Sequence, residues 1–107
     1  MKLVVDIDGT ICSHEKDYSE AKPYKLRISL MNDYFDAGHR IVYFTARGTE
    51  TGIDWREVTE KQFEEWGVKY HELHFGQPAG DYYIEDKALH ADRMWKLKEV
   101  LIGDTYE

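Results

Sequence analysis

The sequence predicts an α/β protein: a three-layer α/β/α, Rossmann-like parallel sheet of four or five strands with no large cap domain. Three observations predict it. Short apolar runs, Leu3-Val4-Val5, Ile41-Val42-Tyr43-Phe44 and Tyr82-Tyr83-Ile84, alternate with segments whose apolar residues recur at helical spacing. Such alternation implies parallel strands with helices on both faces, and right-handed crossovers prune the connections. Three strand ends also carry polar groups, Asp6/Asp8, Thr45 and Glu85/Asp86, which a parallel sheet collects along one edge.

The first strand spans residues 2–8. Residues 12–22 are polar and read as a loop or small hairpin. Pro23 suits the first turn of a helix. Tyr24, Ile28, Met31 and Phe35 then share one helical face, and Gly38 stops it. Arg40 to Phe44 is the second strand, ended by Thr45. A polar loop with two glycines covers 46–53. Asp54 and Glu57 form a capping-box pattern, followed by Trp55, Val58, Gln62 and Trp66 at helical spacing and by Gly67. A third strand is expected from Val68 to Phe75, and Gln77-Pro78-Ala79-Gly80 is a turn. Tyr82 to Ile84 is the fourth strand. Asp92 caps a last helix bearing Met94, Leu97 and Leu101, which Gly103 ends.

The 107 residues suffice for one domain, 1–107, without staples. A net charge of −7 disfavours nucleic acid and anionic membrane surfaces, which select clustered Lys and Arg. It leaves room for a small phosphorylated metabolite, because a bound Mg²⁺ inverts the local field. Cys12 is the only cysteine, so no internal disulfide forms and a reducing, cytoplasmic setting is expected. Leu3-Val4-Val5 is too short for a secretory h-region, and no stretch reaches membrane-spanning length.

Asp6 and Asp8 lie two residues apart on a strand, so their side chains share a face at its carboxyl end. Two like charges this close call for a cation or a shared proton. A hard divalent ion with oxygen ligands meets that need, and Mg²⁺ commonly completes its shell with substrate phosphate. His71 and His74, three apart on the third strand, face opposite sides and do not suggest zinc. His14 reads as a solvated loop residue, and Cys12 as a small packed one.

Asp6-Ile7-Asp8-Gly9-Thr10-Ile11, Ile41-Val42-Tyr43-Phe44-Thr45-Ala46-Arg47 and Tyr82-Tyr83-Ile84-Glu85-Asp86-Lys87-Ala88 together resemble the haloacid dehalogenase superfamily phosphohydrolases. The similarity is greatest to the short members found with capsular and surface-polysaccharide biosynthesis, and it runs from Val4 to Asp92. It implies a phosphatase acting on a small phosphomonoester, with a sugar phosphate favoured. Asp6 would be the nucleophile and Asp8 the general acid/base, its backbone carbonyl also binding Mg²⁺. Thr45 would hydrogen-bond the phosphoryl group. Gly9 and Thr10 would line the substrate, and Arg47 is a candidate for its phosphate or acidic groups. Asp86 would bind the metal directly, with Glu85 behind it; Asp81 fits a looser form of the motif.

The resemblance also implies a lysine just before the fourth strand, where this chain has Gln77. Lys87 or Lys69 would then supply the charge, Lys87 first. With no cap, the site would be screened by residues 12–22, by the 46–53 loop, or by the neighbouring subunit of a homo-oligomer. Two rivals follow: a polynucleotide end phosphatase, which the acidic balance opposes, and a catalytically impaired member that binds a phosphorylated ligand or a protein, which Gln77 favours.

Overall fold

The computed structural model describes residues 1–76 and the strand 82–84. The expectations for Gln77, the 77–80 turn, Asp81, Glu85, Asp86, Lys87 and the helix after Asp92 lie outside the described residues. The chain forms β1 (Lys2–Asp6), a short 3₁₀ turn (Tyr18–Glu20), α1 (Lys25–Asp36), β2 (Arg40–Thr45), α2 (Arg56–Trp66), β3 (Glu72–Phe75) and β4 (Tyr82–Ile84). The strands are parallel, in the order β3-β2-β1-β4.

That order places the helices. From β1 to β2 to β3 the chain steps the same way twice, so right-handed crossovers lay α1 and α2 on one face. There Ile28, Met31 and Tyr34 of α1 and Phe63 of α2 join Leu3, Val5, Ile41 and Tyr43 in a continuous core. The Phe63 ring meets Tyr43 and Tyr70 edge-on, each at 5.1 Å. Val4 and Val42, whose strand positions put them on the opposite face, are equally buried. Both described helices share one face, and the helix expected after Asp92 lies outside the described residues.

Two boundaries and one buried face differ from expectation. Helix α1 starts at Lys25, because Pro23 forms a bridge with Cys12 and Tyr24 N–H donates to the Ile11 carbonyl. In α2 the buried residues are Thr59, Gln62 and Phe63, with Val58 half-buried. Strand β3 begins at Glu72 rather than Val68. After Gly67 the chain is first tied to α1: Asn32 accepts from Lys69 N–H and donates to the Gly67 carbonyl, each at 2.9 Å, and Phe35 stacks on His71. Only beyond that anchor does it join the β2 edge.

No helix among the described residues is long and apolar enough to cross a membrane. Phe63 links α2 to β2 through aromatic packing, so Phe63→Ala should cost about 3–5 kcal/mol. Urea unfolding should then show a lower midpoint at unchanged slope.

Candidate active site at the carboxyl edge of the sheet

Strand β1 ends at Asp6, and the chain turns at once. Ile7 N–H extends the ladder to the Phe44 carbonyl at 3.1 Å. The Ile7 carbonyl then accepts the amides of Thr10 and Ile11, and Gly9 N–H donates to the Cys12 carbonyl at 2.8 Å. This tight loop needs positive φ at Gly9, which has φ +83°. A Cβ there would come within 2.3 Å of His14 Nε2. His14 is thus exposed yet packed over Gly9, more engaged than a solvated loop residue. Asp6 is half-buried, and one carboxylate oxygen accepts its neighbour's Ile7 N–H at 2.9 Å.

Asp8 is held from all sides. Thr45, at the end of β2, donates its hydroxyl to Asp8 Oδ2 at 3.1 Å. Arg47 donates Nη2–H to Oδ1 at 2.9 Å, while its Nε–H is shared between the two oxygens at 3.1 and 3.2 Å. Asp8 is 8% exposed and Arg47 2%. Such a pair is favourable only if every remaining proton and lone pair is answered. Here it is: Arg47 Nη1 reaches Thr59 Oγ1 at 3.0 Å and Gln62 Oε1 at 2.7 Å, and Nη2 also approaches Cys12 Sγ at 3.8 Å. All five guanidinium donors are used. The Tyr18 ring covers the guanidinium at 5.0 Å, a cation–π contact, and Gln62 Nε2–H donates to the Tyr18 carbonyl at 2.7 Å, which fixes that turn.

These contacts place several residues expected at the site. Arg47 is buried and paired with Asp8. The Thr45 hydroxyl gives its proton to Asp8 and accepts Arg47 N–H at 3.1 Å. The Asp8 carboxylate accepts from Thr45, Arg47 and Cys12. Thr10 is fully buried, with no hydrogen-bond partner for its hydroxyl among the described residues. Lys69 pairs with Asp36 at 2.9 Å, where α1 ends and before β3 begins, so it does not replace the expected lysine. His71 and His74 do not share a metal: Ile41 N–H donates to His71 Nδ1, and His74 pairs with Glu72. Among the described residues no group of three or more His, Cys, Asp or Glu is placed to hold a metal ion.

The structure adds Tyr18, Thr59 and Gln62 to the site. Their signal was present in α2: Thr59 and Gln62 are polar residues on a helix face that points inward. Cys12 is buried, and burial followed by the nearby Asp8 charge pushes its thiol up to about 12. It is unreactive packing, as expected of a small residue here.

The chain matches no family model and no curated relative. Among solved structures it is similar to an MCSG target from Vibrio cholerae, with TM-score 0.71 and 28% identity over 87% of this chain and 85% of that one. A chain of the Pnkp1/Rnl/Hen1 complex is similar with TM-score 0.58 and 16% identity, covering 95% of this chain and 36% of that one. The second likeness is one of fold alone.

Arg47→Met strands the Asp8 carboxylate in a dry site and should cost about 3–5 kcal/mol. Adding Asp8→Leu should restore part of that loss in a thermal or chemical unfolding cycle. Iodoacetamide at pH 8 should leave the native protein unmodified and alkylate Cys12 only in denaturant, as read by mass spectrometry.

Proposed function

We propose that this chain is a Mg²⁺-dependent phosphohydrolase that cleaves a small phosphomonoester through an aspartyl-phosphate on Asp6. The observation that carries the reading is where Asp6 sits. It ends β1, the strand at which the sheet order reverses, between β2 and β4. Open α/β sheets bind ligands in the crevice beyond such a reversal. Strand β4 pairs with β1 there, its last residue Ile84 opposite Val5, and Glu85 and Asp86 follow in sequence. The parallel sheet, with Asp-x-Asp at this point, supports a three-layer haloacid dehalogenase-like fold.

In this reading an Asp6 oxygen attacks phosphorus, a P–O–Asp6 bond forms, and the ester P–O bond breaks. Asp8, entering the step protonated and released from Arg47, gives its proton to the departing oxygen. Water then attacks the aspartyl-phosphate as Asp8 takes its proton, which releases inorganic phosphate and restores Asp6. Arg47 and Thr45 hold the Asp8 carboxylate between turnovers, and these contacts must open for the proton transfers. The Asp6 carboxylate and the Asp8 backbone carbonyl would hold the ion together with Asp86, supported by Glu85 in this reading, and all are hard oxygen donors. When bound, Mg²⁺ would offset the repulsion between Asp6 and the phosphoryl oxygens. Lys87, adjacent to Asp86 in sequence, is the cation assigned to the role that Gln77 leaves open. A lone buried cysteine fits a reducing, cytoplasmic setting.

Asp6→Asn should lower Mg²⁺-dependent hydrolysis of phenyl phosphate by about a thousandfold or more while leaving the circular dichroism spectrum unchanged. Chelation should silence the wild-type protein, and added Mg²⁺ should restore it. Undiminished turnover in the Asn variant rules out the covalent route.

A further inference from the structure

The Arg47 guanidinium has two poles with different partners. Its Nε–H and an Nη2–H face Asp8, and Nη2 also approaches Cys12 Sγ, so this pole is held by the loop after β1. Its Nη1 faces α2, where Thr59 Oγ1 accepts at 3.0 Å and Gln62 Oε1 at 2.7 Å. The proposed reaction needs Asp8 freed from Arg47, and the two poles decide which partner moves.

The α2 pole is the firmer one. Gln62 is 6% exposed, and its amide is matched to two neighbours of opposite kind. Oε1 accepts from the guanidinium, while Nε2–H donates to the Tyr18 carbonyl. Turning the amide over would set its NH₂ against a cation and its oxygen against a carbonyl, so one orientation is fixed. Thr59 is fully buried and gives its own proton to the Trp55 carbonyl at 2.7 Å, which leaves lone pairs for Nη1. Withdrawing the guanidinium would strand both acceptors in a dry site. The Asp8 pole differs. The Arg47 side chain has no exposure, whereas that of Asp8 has 12%. Rotation of Asp8 about its own side-chain bonds takes its carboxylate toward water, and water can follow it to the vacated Nε–H and Nη2–H.

We infer that Gln62, with Thr59, is a positioning pair that keeps the guanidinium in place while Asp8 leaves and returns, so that the Asp8–Arg47 contact opens from the Asp8 side alone. The purpose of the opening rests on the phosphohydrolase reading; the motion itself is measurable without turnover. Gln62 touches neither Asp8 nor Asp6 and acts through Arg47. Because the same amide holds the Tyr18 carbonyl, the turn that covers the guanidinium stays with it. Asp8 thus returns to an unchanged socket after each departure.

Nitrogen-15 NMR of the full chain reads the two poles separately, through solvent exchange of the Arg47 Nε–H and Nη1–H protons. Nε–H should exchange about tenfold faster than Nη1–H, because only its pole opens. Gln62→Leu, of similar size but without an acceptor, should erase that difference, and Gln62→Glu, which keeps an acceptor, should retain it. With phenyl phosphate and Mg²⁺ the Leu variant should lose about tenfold in kcat at unchanged KM, and the Glu variant should recover part of it. Equal exchange at both poles of the wild-type protein overturns the inference, since the guanidinium then withdraws whole. That comparison needs no variant and decides the matter if Gln62→Leu fails to fold. A folded Leu variant that keeps the wild-type difference overturns it too. Unequal exchange in a protein that never hydrolyses phenyl phosphate sinks the phosphohydrolase reading and leaves the anchoring of Arg47 standing.

Discussion

The buried pairing of Asp8 with Arg47 organises the whole carboxyl edge of the sheet. A guanidinium removed from water is costly, and the cost is offset only when each of its donors meets an acceptor. Arg47 meets that condition by drawing on Asp8 and Cys12 after β1 and on Thr59 and Gln62 in α2, with the Tyr18 ring above it. Remove any one, and a buried polar group is left without an answer. Segments far apart in sequence are therefore required to arrive together, and the loop geometry follows from that requirement.

The topology supplies the other half of the arrangement. Two crossovers in the same direction stack α1 and α2 on one side, and the return to β4 reverses the order at β1. Asp6 ends its strand at that reversal. The two carboxylates of the Asp-x-Asp pair have different surroundings: Asp6 remains half-buried, while Asp8 is buried. Two identical side chains, two residues apart, are set apart by what neighbours them, as the environments of paired carboxylates can be.

Much of this was legible in the sequence. Strands β1, β2 and β4 were readable because buried parallel strands are short, continuous apolar runs bounded by breakers. Asp6 at a strand end was readable for the same reason. The fate of Arg47 was not. A charged residue after a strand looks like a surface group, since burial of arginine depends on partners contributed by distant segments. Thr59 and Gln62 held the missing clue, as polar residues turned inward on an otherwise ordinary helix. The start of β3 was misjudged because Val68 and Tyr70 have strand-like character, yet Asn32 captures that stretch from α1 before it can pair. Local preference yielded there to a tertiary hydrogen bond.

The wiring of Arg47 has a consequence for how such a protein can diversify. The 46–55 loop looks like a surface insert that could be traded for another. Its arginine, however, is anchored below by α2 and across by the Tyr18 turn. A transplant confined to the loop would import a guanidinium whose sockets stay behind in the donor. The natural unit of exchange is longer, running from Thr45 through Phe63 and accompanied by a matching Tyr18 segment, so variation in this loop should be inherited in paired blocks rather than as single loops.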